Sequence, residues 1–85
     1  MSEKIEVKVK FFASARQTVG KKDIDVGLEK NSKVEDLMDH LYEKYPELED
    51  MKDHLLISVN KDRSDKSDPL KEGDEIAVMP PVTGG

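Results

Sequence analysis

The sequence predicts an α+β domain in which one mixed β-sheet packs on one main helix. Three observations carry that expectation. Apolar residues recur with a period of two near both ends of the chain and with helical spacing in its middle. The 85 residues leave room for one domain, with no internal repeat. A domain of this length buries only about 60% of the surface its unfolded chain exposes, so its core is thin. That size suits a binding module, a carrier or a subunit better than an enzyme with a deep cleft.

Residues 4 to 11 set Ile5, Val7, Val9 and Phe11 on one face and Lys4, Glu6, Lys8 and Lys10 on the other, a half-buried strand. Phe12 breaks the alternation and falls on the outer face. Ala13 to Gly20 reads as a connection with a helical turn, stopped by Gly20. Ile24, Val26 and Leu28 alternate with Asp23, Asp25 and Gly27 as a second strand, making a hairpin with a loose loop. Ser32 with Glu35 three residues later fits a capping box. Behind it Val34, Leu37, Met38, Leu41 and Tyr45 follow helical spacing, with Tyr42 at the edge of the stripe. Pro46 ends the helix by disfavouring helical geometry at Tyr45.

Residues 47 to 54 are polar and irregular, and Leu55 to Asn60 form a short apolar strand. Lys61 to Pro69 reads as a solvated turn region and Leu70 as a lone anchor. Lys71-Glu72-Gly73-Asp74 is a turn, and Glu75 to Met79 is the last strand, with Ile76 and Val78 inward. The order strand, strand, helix, strand, strand makes a β-grasp arrangement the economical answer. Its first and last strands lie parallel at the centre of the sheet. Residues 1–79 are then the domain, and residues 80–85 a tail that cannot continue the sheet.

Charged residues are 39% of the chain, aromatics 5%, and the net charge is -5. Nucleic acid is a poor partner for such a surface, because phosphate binding needs a basic stripe. A basic surface on a protein partner fits better. No cysteine is present, which excludes disulfides, thiolate nucleophiles and cysteine-based metal sites. No apolar run approaches the roughly 18 residues of a membrane span, and Met-Ser-Glu-Lys lacks a signal-peptide core, so the expected location is the cytoplasm. His40 and His54 have no companion at ligand spacing and read as surface residues, so no metal is expected. The dispersed carboxylates read as a solvated face. The five glycines form no phosphate loop, so the chain is expected to bind no cofactor and no ATP.

The tail is the chemically suggestive segment. Pro80-Pro81 fixes two φ angles and directs the chain off the sheet as a stiff stalk. Gly84-Gly85 carries no side chains and can enter a channel too narrow for any Cβ. A Gly-Gly end by itself also fits a frayed terminus. A carboxylate resists nucleophiles because its oxygen leaves poorly, and a nucleotide-dependent partner could overcome this by adenylating it. Without cysteine, a sulfur cargo has no side chain to ride on, leaving the main-chain carboxylate of Gly85.

Lys10-Phe11-Phe12-Ala13, Arg16 to Gly20, Val59-Asn60, Pro69-Leu70-x-x-Gly73-Asp74-Glu75 and above all Pro80-Pro81-Val82-Thr83-Gly84-Gly85 carry a family likeness. The chain resembles the MoaD-type ubiquitin-like sulfur carriers, the small subunits of molybdopterin synthase, in register over nearly its whole length. The resemblance implies a ubiquitin-like β-grasp and a carrier subunit without catalytic machinery of its own. It implies that a ubiquitin-activating-type enzyme, using ATP and Mg, adenylates Gly85, and that a sulfur donor then makes a thiocarboxylate. The loaded tail, through Pro80, Pro81, Val82, Thr83 and Gly84, would enter the large synthase subunit and supply the dithiolene sulfurs of molybdopterin, a step in molybdenum cofactor biosynthesis. Similar archaeal proteins are small modifier proteins, which implies the alternative that Gly85 is joined to substrate lysines. A plain interaction domain with an incidental tail is the third reading.

Phe12 and Met79 fall at one end of the sheet on the face away from the helix, which makes them a candidate docking patch, with Leu56 a weaker addition. Partial burial under a loop is the competing expectation. Matching family positions contact the partner subunit. Arg16 could pair with a partner's acid or with local carboxylates such as Asp23, and the structural pairing is preferred.

Overall fold

The computed structural model describes residues 3–80. The chain runs from β1 (Lys4–Phe11) through α1 (Ala13–Val19) to β2 (Asp23–Glu29) and α2 (Val34–Lys44). It continues through α3 (Pro46–Glu49), a 3-10 turn (Lys52–His54), β3 (Leu56–Val59), β4 (Asp62–Arg63) and β5 (Glu75–Met79). The strands form one sheet in the order β2-β1-β5-β3-β4. β1 and β5 are parallel neighbours at its centre, with Phe11 opposite Val78, and the other pairs are antiparallel. This is the mixed sheet and β-grasp order expected from the sequence.

The alternation in β1, β2 and β5 is realised residue by residue. Val7, Val9, Phe11, Val26, Ile76 and Val78 are buried against Val34, Leu37, Met38 and Leu41 of α2. Burying such a side chain fully contributes about 1.5–3 kcal/mol. Leu70 is 3% exposed and is the anchor its isolation suggested. It is held by its N–H donating to the Ser32 carbonyl at 2.7 Å.

Four features depart from the expectation. The connection after β1 is a seven-residue helix rather than a turn, closed by Gly20 at φ +80 with its N–H on the Arg16 carbonyl at 2.8 Å. Ala15 of this helix is fully buried. Residues 47 to 54 are not irregular, since Pro46 opens the short helix α3 that drives Leu48 into the core. The predicted apolar strand turns back at Asn60-Lys61, both at positive φ, to pair with the two-residue β4.

The capping box lies one residue later than expected. Ser32 donates its hydroxyl back to the Glu29 carbonyl at 2.6 Å, closing the turn after β2. Lys33 therefore precedes the helix, and its N–H is accepted by the Asp36 carboxylate at 2.8 Å, the role assigned to Glu35. The next two orphan donors are taken by the segment beyond β4. Val34 N–H donates to the Asp68 carbonyl and Glu35 N–H to the Lys66 carbonyl, each at 3.0 Å. The solvated loop is thus a cap for α2.

Candidate functional site

Consecutive aromatics end β1 on opposite faces, as a period of two requires. Phe11 is 1% exposed and meets Tyr45 edge-on, with centroids 6.3 Å apart. Phe12 is 45% exposed on the opposite face. Its N–H donates to the Val78 carbonyl at 3.0 Å, which keeps Phe12 in register beside Met79. Ala13 then turns the chain away at φ +51, a left-handed conformation that costs a non-glycine residue about 1–2 kcal/mol.

The parallel pairing of β1 and β5 sends both strands out at the same edge. β3 begins there, because it is antiparallel to β5 with Leu56 opposite Met79. Phe12, just past β1, therefore comes together with Met79 of β5 and Leu56 of β3 at one end of one face. Leu56 is 38% exposed and Met79 is half-buried. Among the described residues these side chains make an apolar patch that no loop roofs. Pro80, half-buried, leaves directly from it. Pro81, Val82, Thr83, Gly84 and Gly85 lie outside the described residues.

Behind the patch is a shallow groove of about 390 Å³ floored by Ala77 and Ser58. Lys10, Lys61 and Glu75 rim it, with Lys10 Nζ 3.2 Å from Glu75 Oε1. These flanking residues are missing from the sequence-based site, although parity along β5 places Glu75 and Ala77 on the face of Met79. One end of the groove is fixed by Asn60. Its N–H donates to the Glu75 carbonyl at 2.7 Å, its side-chain oxygen accepts the Glu75 N–H at 3.0 Å, and its side-chain N–H₂ donates to Asp74 at 2.9 Å. The hairpin turn is thereby tied to the start of β5.

The remaining candidates are dispersed. Arg16 is exposed and makes no ion pair among the described residues, so the expected contact with Asp23 is not formed. His40 and His54 are exposed on separate elements. Among the described residues no group of three or more His, Asp or Glu side chains is placed to hold a metal ion. No described helix is long and apolar enough to cross a membrane. What the described residues bring together is the exposed apolar patch and the root of the tail.

The profile of the ThiS family matches residues 9–85. The chain is 40% identical over 81 residues to the molybdopterin synthase sulfur carrier subunit of Escherichia coli K12, covering 93% of this chain and 99% of that one. Among solved structures it resembles SAMP1 from Haloferax volcanii, with a TM-score of 0.86 at 27% identity over 94% of this chain and 99% of that chain. It also resembles a chain in the complex of subunits 1 and 2 of the molybdopterin-converting factor from Helicobacter pylori 26695. There the TM-score is 0.69 at 26% identity, covering 95% of this chain and 100% of that chain.

Proposed function

The chain belongs to the ThiS family, and on that premise we propose that it is a sulfur carrier acting as the small subunit of molybdopterin synthase. The observation that carries this reading is the exit of Pro80 from the apolar patch of Phe12, Leu56 and Met79. A partner that covers Phe12, Leu56 and Met79 receives the tail in a fixed place. Held so, the tail delivers its end group with little further loss of freedom.

The chemistry resides in the Gly85 carboxylate. In the activating partner it attacks the α-phosphorus of ATP, pyrophosphate leaves, and an acyl-adenylate forms. A sulfide equivalent adds at the acyl carbon, AMP leaves and one proton is released, giving the thiocarboxylate. Gly84 and Gly85 keep the path slim enough for both partners. The large synthase subunit is then the site of sulfur release, in keeping with the two-subunit complex of the Helicobacter pylori relative. No side chain of this domain takes part in bond making; its residues bind and position.

Intact mass spectrometry tests the reading. After incubation with an activating enzyme, ATP and sulfide, the mass should rise by the exchange of one oxygen for one sulfur. An unchanged mass would overturn it. The likeness to a small archaeal modifier protein supports a second fate, an isopeptide bond from Gly85 to a lysine. Its mark is a ladder of conjugates on cellular proteins that vanishes when Gly85 is deleted.

A further inference from the structure

The main helix does not cover the whole sheet. Beyond β3 it leaves a groove of about 270 Å³ on the helix side, floored by Met38 and Tyr42 of α2 and by Leu55 and Ile57. Glu35 and Asp39 rim it from α2, and Glu49 and Asp53 from the segment before β3. Against these four carboxylates stand two ammonium groups, Lys52 and Lys66. Lys52 lies 3.9 Å from Glu49, whereas Glu35, Asp39 and Asp53 make no ion pair among the described residues.

We propose that this groove is a second protein-docking site, fitted to a short basic amphipathic helix of a partner. Charge complementarity names the occupant, since the rim has an excess of negative charge over an apolar floor. Glu35, Met38, Asp39 and Tyr42 stand at i, i+3, i+4 and i+7, so one wall is a continuous stripe about 10 Å long. Such a wall takes about two turns of helix, with an apolar side chain on Tyr42 and Met38 and Lys or Arg on the rim. The field in the middle of the groove is negative. Burial raises the Tyr42 phenol above its ordinary pKa, and Asp39, Asp53 and Glu49 raise it further.

The groove shares no lining residue with the tail-side patch. Ile57 and Leu56 are neighbours in β3 and point to opposite faces, one to each site. A protein seated here leaves Phe12, Met79 and Pro80 free for the enzyme that handles the tail.

The test is an NMR titration of the full chain with a synthetic helix of about 14 Leu, Lys and Arg residues, and with its Glu-substituted counterpart. The basic peptide should shift the amides of Asp39, Tyr42, Leu55 and Ile57, and the acidic one none of them. Asp39→Asn with Asp53→Asn should weaken binding about tenfold. The charge-matched control Glu43→Gln with Glu47→Gln should change it less than about twofold. Lys52→Ala should tighten it. Shifts centred on Phe12, Leu56 and Met79, equal weakening by both double variants, or no binding would each overturn the proposal.

Discussion

At the scale of single residues, the clearest tension is at Tyr45. Its ring packs on Phe11 at the end of α2, and its hydroxyl oxygen is buried with no hydrogen-bond partner among the described residues. A buried polar group without a partner costs about 1–3 kcal/mol of desolvation. Tyr45→Phe removes only that atom and should raise stability by about 1 kcal/mol. A lower urea midpoint for the variant would show that the hydroxyl is satisfied. The two adjacent phenylalanines make the opposite pair of cases. Phe11→Ala opens a cavity in the core and should cost about 3–5 kcal/mol, whereas Phe12→Ala removes an exposed ring and should cost less than about 1 kcal/mol. Comparing the two urea midpoints checks both figures. This contrast was legible in the sequence, because parity along a strand is a local property. The unsatisfied hydroxyl was not, because it depends on what packs around Tyr45.

At the scale of elements, strong periodicity marked β1, β2, α2 and β5 with bounds close to those observed. The elements it missed are short or held by distant partners. α3 has four residues and β4 two, too few for a period to register, and both depend on tertiary contacts. The cap of α2 was misplaced by one residue because Ser32 has a nearer acceptor in Glu29. The loop that completes the cap lies more than thirty positions away (Val34 to Asp68), beyond the reach of local pattern. That loop is organised by the Asp68 carboxylate, which accepts the Asp65 N–H at 2.9 Å and the Ser64 hydroxyl at 2.8 Å. The Asp65 N–H first, and then Ser64, hold Asp68 below its ordinary pKa. A carboxyl whose folded pKa is depressed contributes stability above its unfolded pKa and loses it as pH falls through the folded value. Acidification below the ordinary aspartate range should therefore loosen the cap, and thermal melts of Asp68→Ala should show a shallower acid dependence than the parent. Identical acid profiles would detach the loop from α2 stability.

At the scale of the whole molecule, the central parallel pair of strands decides the division of labour. It puts the end of β1, the start of β3 and the exit of β5 at one edge, so the apolar patch and the root of the tail share a single end of the sheet. Among the described residues the last strand ends at Met79, and Val78 is the last buried core residue. Deleting Gly85 should then leave the melting temperature unchanged within about 1 °C while abolishing the oxygen-for-sulfur mass gain. Phe12→Ala should behave differently. It keeps the reacting carboxylate, so its loading should fall through weaker capture by the activating enzyme, raising KM more than it lowers kcat. A drop in melting temperature on loss of Gly85 would make the tail a structural segment. A kcat loss without a KM change in Phe12→Ala would move Phe12 from capture to alignment of the tail in the transition state.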